Sequence, residues 1–206
     1  MDSIQGFIIA GGASSRMGTD KARLVLGGRT FIERIAGELE LVVNQVTLVG
    51  SPAANERIVL NGQSLPVVPD IYEKWGALGG LHAALAAAKA KWALVVACDL
   101  PFVTAELFRH LTGLRSDYEI VAPIQPDGRP QPLCACYRTA QCLKNVEHLI
   151  KGGERRPMTL LQSLRTRWVP FEEVAALRGA EQFFENVNTP ADYVRAQQQW
   201  GSLTAL

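Results

Sequence analysis

The apolar run Phe7-Ile8-Ile9-Ala10 empties directly into Gly11-Gly12-Ala13-Ser14-Ser15-Arg16-Met17-Gly18-Thr19-Asp20-Lys21. That junction limits what the chain can fold into more than any other stretch. A short branched run bounded by Gly6 reads as a buried strand. The glycines after it lack a Cβ, so the backbone can bend and approach a ligand closely, and successive N–H groups can form an anion-binding concavity. Arg16 and Lys21 would then supply the countercharge for a phosphate. Neither common phosphate template fits. A Walker A loop needs Gly-Lys-Ser/Thr, whereas Gly18 is followed by Thr19-Asp20-Lys21. The dinucleotide fingerprint G-x-G-x-x-G fails because Gly11 and Gly12 are adjacent. Two readings stay open at this point: another kind of nucleotide loop, or a solvated turn that joins strand to helix.

The stretches that follow alternate in period. Arg29 to Leu41 places Phe31, Ile32, Ile35 and Leu39 at helical spacing, and predicts an amphipathic helix covering a sheet. Gln45–Val49 and Leu65–Val68 read as strands, the second ending at Pro69-Asp70. Trp75–Ala90 predicts an alanine-rich helix with small residues on almost every side, and Trp92–Ala97 is the clearest buried strand. Strand, helix, strand in this order points to an α/β fold with a mostly parallel sheet and helices on both faces. In such sheets ligands bind beyond the carboxyl ends of the strands, which is where Asp70 and Asp99 would lie.

Further along, Thr104 is placed to cap a helix through Leu114, and Glu119–Pro123 reads as a strand. Asp127-Gly128-Arg129-Pro130 signals a turn into the alternating segment Gln131–Tyr137, which suits a β-hairpin at the sheet edge. Gln141–Ile150 predicts a helix, separated from Thr159–Leu164 by Gly152 to Met158. Thr189 as cap, Pro190 in the first helical position and Asp192 open a last helix through Gln199.

With 206 residues, 48% of them hydrophobic, the chain can bury one sizeable core, and a single domain is expected. Its 21 basic and 20 acidic residues nearly balance, which argues against a broad electrostatic footprint for nucleic acid or an anionic membrane. No apolar run approaches the roughly 20 residues that span a bilayer, and Met1-Asp2-Ser3 lacks a signal peptide's basic start; a cytoplasmic protein is expected. Four cysteines are too few for a disulfide scaffold, and Cys134-Ala135-Cys136 has neither zinc-finger nor redox spacing. The three histidines, His82, His110 and His148, form no ligand pair on a helix face.

Several residues admit both a functional and a structural reading. An aspartate just past a fully apolar strand needs a partner; Asp99 would hold magnesium together with substrate phosphates, or cap the following turn. Gly79 and Gly80 would open room for a nucleobase at a helix start, or simply allow close helix packing. Arg155 and Arg156 are surface charge, or a planar fork for gripping phosphate.

Gly11 to Lys21 resembles the signature of nucleotidyltransferases that join a nucleoside triphosphate to a phosphorylated acceptor, most closely the molybdenum cofactor guanylyltransferases. The resemblance runs on in order through Gly76-Ala77-Leu78-Gly79-Gly80, Cys98-Asp99-Leu100-Pro101, Arg129-Pro130-Gln131-Pro132-Leu133, Gly153-Glu154-Arg155-Arg156 and Asn186-Val187-Asn188-Thr189-Pro190. It departs from the family pattern at Ala77, where the relatives carry proline. The resemblance implies a Rossmann-like three-layer fold of the nucleotide-diphospho-sugar transferase type. It implies a nucleotide-binding part over about residues 1–115 and an acceptor-binding part over about 116–206. The implied reaction transfers GMP from GTP to molybdopterin, with or without molybdenum, and releases pyrophosphate. Arg16, Lys21 and Asp99 would be catalytic, with Mg2+ on Asp99. Ala10, Gly11, Gly12, Ala13, Gly18, Lys21, Asp70, Gly79, Gly80 and Asp99 would bind nucleotide, and Arg155, Arg156, Asn186 and Asn188 the acceptor. Transient contact with the molybdenum-insertion enzyme and with apo-molybdoenzymes is also implied. The rival expectations are a cytidylyltransferase acting on the same pterin and a non-catalytic nucleotide-binding regulator.

Overall fold

The computed structural model describes residues 2–10, 24–50, 58–60, 62–72 and 75–204. In chain order they form β1 (Ile4–Ile9), β2 (Val25–Leu26), β3 (Arg29–Thr30), α1 (Phe31–Glu40), β4 (Val46–Val49), β5 (Val59–Leu60), β6 (Gln63–Ser64), β7 (Val67–Val68), α2 (Gly76–Ala87), β8 (Trp92–Ala97), α3 (Ala105–Gly113), β9 (Ile120–Pro123), β10 (Cys134–Arg138), α4 (Thr139–Lys151), α5 (Pro157–Ser163), β11 (Thr166–Val169) and α6 (Pro190–Thr204). The main sheet has the order β11-β9-β10-β8-β1-β4-β7. Pairing is parallel throughout except at β10, which runs antiparallel to both of its neighbours.

Alternation along the strands divides the core into two layers, because successive side chains point to opposite faces. Ile8, Leu94 and Val96 face Ile32, Ile35 and Leu39 of α1 and Leu107, Phe108 and Leu111 of α3. Phe7, Ile9, Ala93 and Val95 face Leu78, Leu81 and Leu85 of α2 and Val146 and Ile150 of α4. Burial of each such aliphatic side chain stabilises by about 1.5–3 kcal/mol, so the helices are held over both faces of the sheet. This is the α/β architecture expected from the sequence.

Three local expectations are corrected. The helix read from Arg29 begins at Phe31, because Arg29 and Thr30 pair back onto Val25 and Leu26. Thr30 then caps it: its Oγ1 accepts from the Glu33 N–H at 3.2 Å while Glu33 Oε2 accepts from the Thr30 N–H at 2.7 Å. The segment ending at Tyr137 is not an edge hairpin. Its strand is inserted between β8 and β9, with Cys134 to Tyr137 completely buried. The edge belongs instead to β11, a strand with no clear sequence signal. The last helix runs past Gln199 to Thr204. It is anchored on the β2–β3 hairpin, where Tyr193 Oη donates to the Val25 carbonyl at 2.6 Å and the Arg34 guanidinium lies 3.5 Å from the Trp200 ring centroid. Gly27, at φ +59°, has no room for a side chain there: a Cβ would sit 2.1 Å from Trp200 Nε1.

Candidate active site

The parallel strands end flush. Ile9 is level with Val49 on one side and Ala97 on the other, and Val49 is level with Val68. One more rung of hydrogen bonds continues past the strands: Ala10 N–H to Val49 O at 2.9 Å, Cys98 N–H to Ile9 O at 3.0 Å, and Gly50 N–H to Val68 O at 2.9 Å. The chain therefore leaves the sheet at one edge after Ala10, Asp70 and Cys98. Ala10 is the half-buried root of the glycine loop. Gly11, Gly12, Ala13, Arg16, Gly18 and Lys21 lie outside the described residues. Asp99 follows β8 and Asp70 follows β7, on opposite sides of that root. With strands about 4.8 Å apart, three spacings separate the two by about 14 Å.

Asp99 is half-buried, and its backbone carbonyl accepts from the Val187 N–H at 3.0 Å. Val187 is buried between exposed Asn186 and Asn188, so the Asn-Val-Asn string is pinned against the aspartate's own peptide. Asn186 Nδ2 donates to the Phe184 carbonyl at 3.3 Å, while Asp192 Oδ2 accepts from the N–H groups of Asn188 and Thr189 at 3.0 and 2.8 Å. A second segment arrives from β10. Because that strand is reversed, its entry lies at the same edge, and the Leu133 carbonyl accepts from the Ala97 N–H at 2.8 Å. Among the described residues no cluster of three or more His, Cys, Asp or Glu could hold a metal ion. Asp99 offers a single carboxylate, so a hard cation held there would take its remaining ligands from phosphate oxygens and water.

On the other flank, Asp70 Oδ1 is buried and finds no hydrogen-bond partner among the described residues. Burial raises the carboxyl above its ordinary range, with nearby His82 opposing the shift. His82 is 4% exposed on α2, stacks edge-on to Tyr72 at 4.8 Å between centroids, and has Nε2 3.9 Å from Glu147 Oε1. Desolvation lowers its pKa despite Glu147 and Asp70. This neighbour of Asp70 has no motif to mark it. Spacing does not mark it either, because α2 is buried continuously from Leu78 to Leu85.

The two glycines at the start of α2 answer a packing need. A Cβ on Gly79 would lie 3.0 Å from the Tyr72 carbonyl oxygen, and one on Gly80 would lie 2.9 Å from Ile9 Cγ2. Their absence lets the helix start close against the end of β1. The arginine pair is divided. The Arg155 guanidinium lies 4.9 Å from the Trp75 ring centroid, at the start of α2. Arg156 reaches Glu154 with Nε and Nη2, both at 3.1 Å. Glu154 also accepts from Thr159 Oγ1 at 2.8 Å and from the N–H groups of both arginines, which holds its carboxyl far below the usual range. Arg155 thus sits on the Asp70 flank, whereas Asn186 and Asn188 sit on the Asp99 flank.

A largely parallel sheet that carries an aspartate beyond the carboxyl ends of β7 and β8, on either side of β1, is the arrangement in which α/β nucleotide-binding enzymes hold their ligands. The chain belongs to the family of the MobA-like NTP transferase domain, whose model matches residues 6–168. A Pelotomaculum thermopropionicum protein named "Probable molybdenum cofactor guanylyltransferase" is 36% identical over 192 residues, covering 93% of this chain and 91% of its own. The molybdenum cofactor guanylyltransferase of Desulfosudis oleivorans is 30% identical, covering 96% of each. Among solved structures, molybdopterin-guanine dinucleotide biosynthesis protein A from Archaeoglobus fulgidus superposes with a TM-score of 0.79 at 24% identity, covering 96% of this chain and 99% of that one. The 2-C-methyl-D-erythritol 4-phosphate cytidylyltransferase of Thermus thermophilus shares the fold, with a TM-score of 0.67 at 18% identity over 94% of this chain and 96% of that one.

Proposed function

We propose that the protein transfers GMP from GTP to molybdopterin, or to its molybdenum-loaded form, and releases pyrophosphate. The observation that carries the chemistry is Asp99 at the carboxyl end of β8, one strand from the root of the glycine loop and tied by its peptide to Val187. The choice of guanine and pterin follows the names of relatives that match nearly the whole chain at 30–36% identity.

An oxygen of the acceptor phosphate bonds to the α-phosphorus of the triphosphate, and the α–β anhydride bond breaks with its electron pair leaving on pyrophosphate. Both reactants are anions, so charge cancellation and in-line alignment dominate the barrier. The attacking phosphate is already ionised at neutral pH and needs no general base. Asp99 would hold Mg2+, which would supply positive charge to offset that of the reacting phosphates. Arg16 and Lys21 add countercharge, and the backbone of Ala10 to Ala13 and Gly18 cradles the triphosphate. Asp70, whose buried oxygen has no donor among the described residues, takes one from the nucleoside, beside the α2 start at Gly79 and Gly80. Arg155, Arg156, Asn186 and Asn188 receive the acceptor, so the part after about residue 115 is mainly its platform. A cytoplasmic location and passing contacts with molybdenum-insertion enzyme and apo-molybdoenzymes complete the reading.

Asp99→Ala is expected to cut transfer by at least about a hundredfold without changing the circular dichroism spectrum. Wild-type turnover with ordinary magnesium dependence in this variant would remove Asp99 from the mechanism. Absence of pyrophosphate release from the wild-type protein with GTP and molybdopterin would favour a nucleotide-binding regulator instead.

A further inference from the structure

The opposite, amino edge of the sheet carries a cavity of about 690 Å³ in which Lys91, Arg109, Arg115 and Arg138 face a single carboxylate, Asp2. Its geometry follows from the register. Ile4 of β1, Trp92 of β8 and Arg138 of β10 form one rung, because antiparallel β10 ends where its neighbours begin. Lys91 Nζ pairs with Asp2 Oδ2 at 2.8 Å, which uses up the one acidic group. Arg109 Nη2 donates to the Leu41 carbonyl at 3.4 Å, and Arg115 Nε donates to the Thr112 carbonyl. Arg115 Nη1 is buried without a hydrogen-bond acceptor among the described residues, and its guanidinium lies over the Trp92 ring at 5.5 Å. The Arg138 side chain has no hydrogen bond or ion pair among them.

One carboxylate, Asp2, whose pKa is lowered by both Lys91 and Arg115, does not balance three arginines, which repel one another, and a buried donor left unmade costs about 1–3 kcal/mol. An anion relieves both. Guanidinium forks match phosphate oxygens two at a time, and the volume lies within the range of small-molecule pockets. The groups come from three separate segments, α3, the turn after it and the end of β10, and converge on one depression. That favours a compact ligand over an extended acidic peptide.

We propose that this cavity is a second anion site that binds a small phosphorylated ligand through Arg109, Arg115 and Arg138, with Trp92 as its apolar wall. At six residues of strand, it lies about 20 Å from the transfer edge, so it is separate from the triphosphate site and owes nothing to the choice of acceptor. The test is isothermal titration calorimetry of the full chain with inorganic pyrophosphate and, separately, with a nucleoside monophosphate. Wild-type protein is expected to show two pyrophosphate events, of which Arg138→Gln and Arg115→Gln each weaken one at least tenfold, while Arg138→Lys keeps part of it. Transfer by Arg138→Gln at saturating substrates should stay within twofold of wild type. Tighter binding of pyrophosphate or of the monophosphate at the second site distinguishes an inorganic from an ester ligand, and either supports the proposal. One pyrophosphate event unaffected by all three substitutions, or a second site that takes a polyglutamate peptide and no phosphate, overturns it.

Discussion

His82 and Asp70 are both desolvated, and their energetic consequences run in opposite directions along the pH scale. A histidine with a depressed pKa stays neutral in the native state while the unfolded chain still takes up a proton near pH 6.5. Stability is therefore lost as pH falls below about 6.5, and the loss levels off once the native imidazole also protonates. Urea denaturation from pH 7.5 to 5.5 should show a slope that His82→Gln flattens by up to about 1.4 kcal/mol per pH unit; an unchanged slope would assign the titration elsewhere. Asp70 is raised instead, so its ionisation penalises the fold at neutral pH and not in acid. Asp70→Asn should increase the thermal stability of the free protein, by about 2–4 °C for each 1 kcal/mol recovered, and at the same time raise KM for GTP. A stabilised variant with unaltered KM would make Asp70 a packing residue only.

At the level of elements, α2 is set by contact. Gly80→Val would drive two methyl groups toward Ile9, already within 2.9 Å of where a Cβ would stand. The expected cost is about 1–3 kcal/mol, read by chemical denaturation, and it should displace the end of β1 from which the glycine loop departs. Here the sequence is informative only in places. β8 is legible because six consecutive apolar residues admit little but a buried strand, and Asp99 stands out as a candidate because a carboxylate following such a strand needs a partner. β11 is not, since Thr166, Arg167 and Trp168 are only half-buried and carry a charge. The Asp127-Gly128 turn announces the reversal before β10, yet nothing local says that this strand slips between β8 and β9, because its partner at Trp92–Ala97 is some forty residues away. His82 stays hidden for a related reason: an alanine-rich helix with small residues all round does not mark which side is buried.

Taken whole, the molecule brings its candidate site residues together along one sheet edge. The nucleotide candidates leave β1, β7 and β8, and Leu133 and Val187 bring segments of the second half to Ala97 and Asp99. GTP with magnesium should therefore protect the entire cooperative unit. At a hundred times Kd the gain is about 2.7 kcal/mol, or about 5–10 °C for a chain of this size. CTP at the same concentration should shift the melting temperature much less, and a larger shift with CTP would favour the cytidylyltransferase. The reversed central strand also bears on how the chain is made. Until residues 134–138 have been synthesised, β8 has no partner on its outer side, although every residue along it belongs to the core. A nascent chain halted before β10 would offer a straight apolar template to any passing extended segment. Synthesis of the second half is thus what closes the window in which the first half can aggregate.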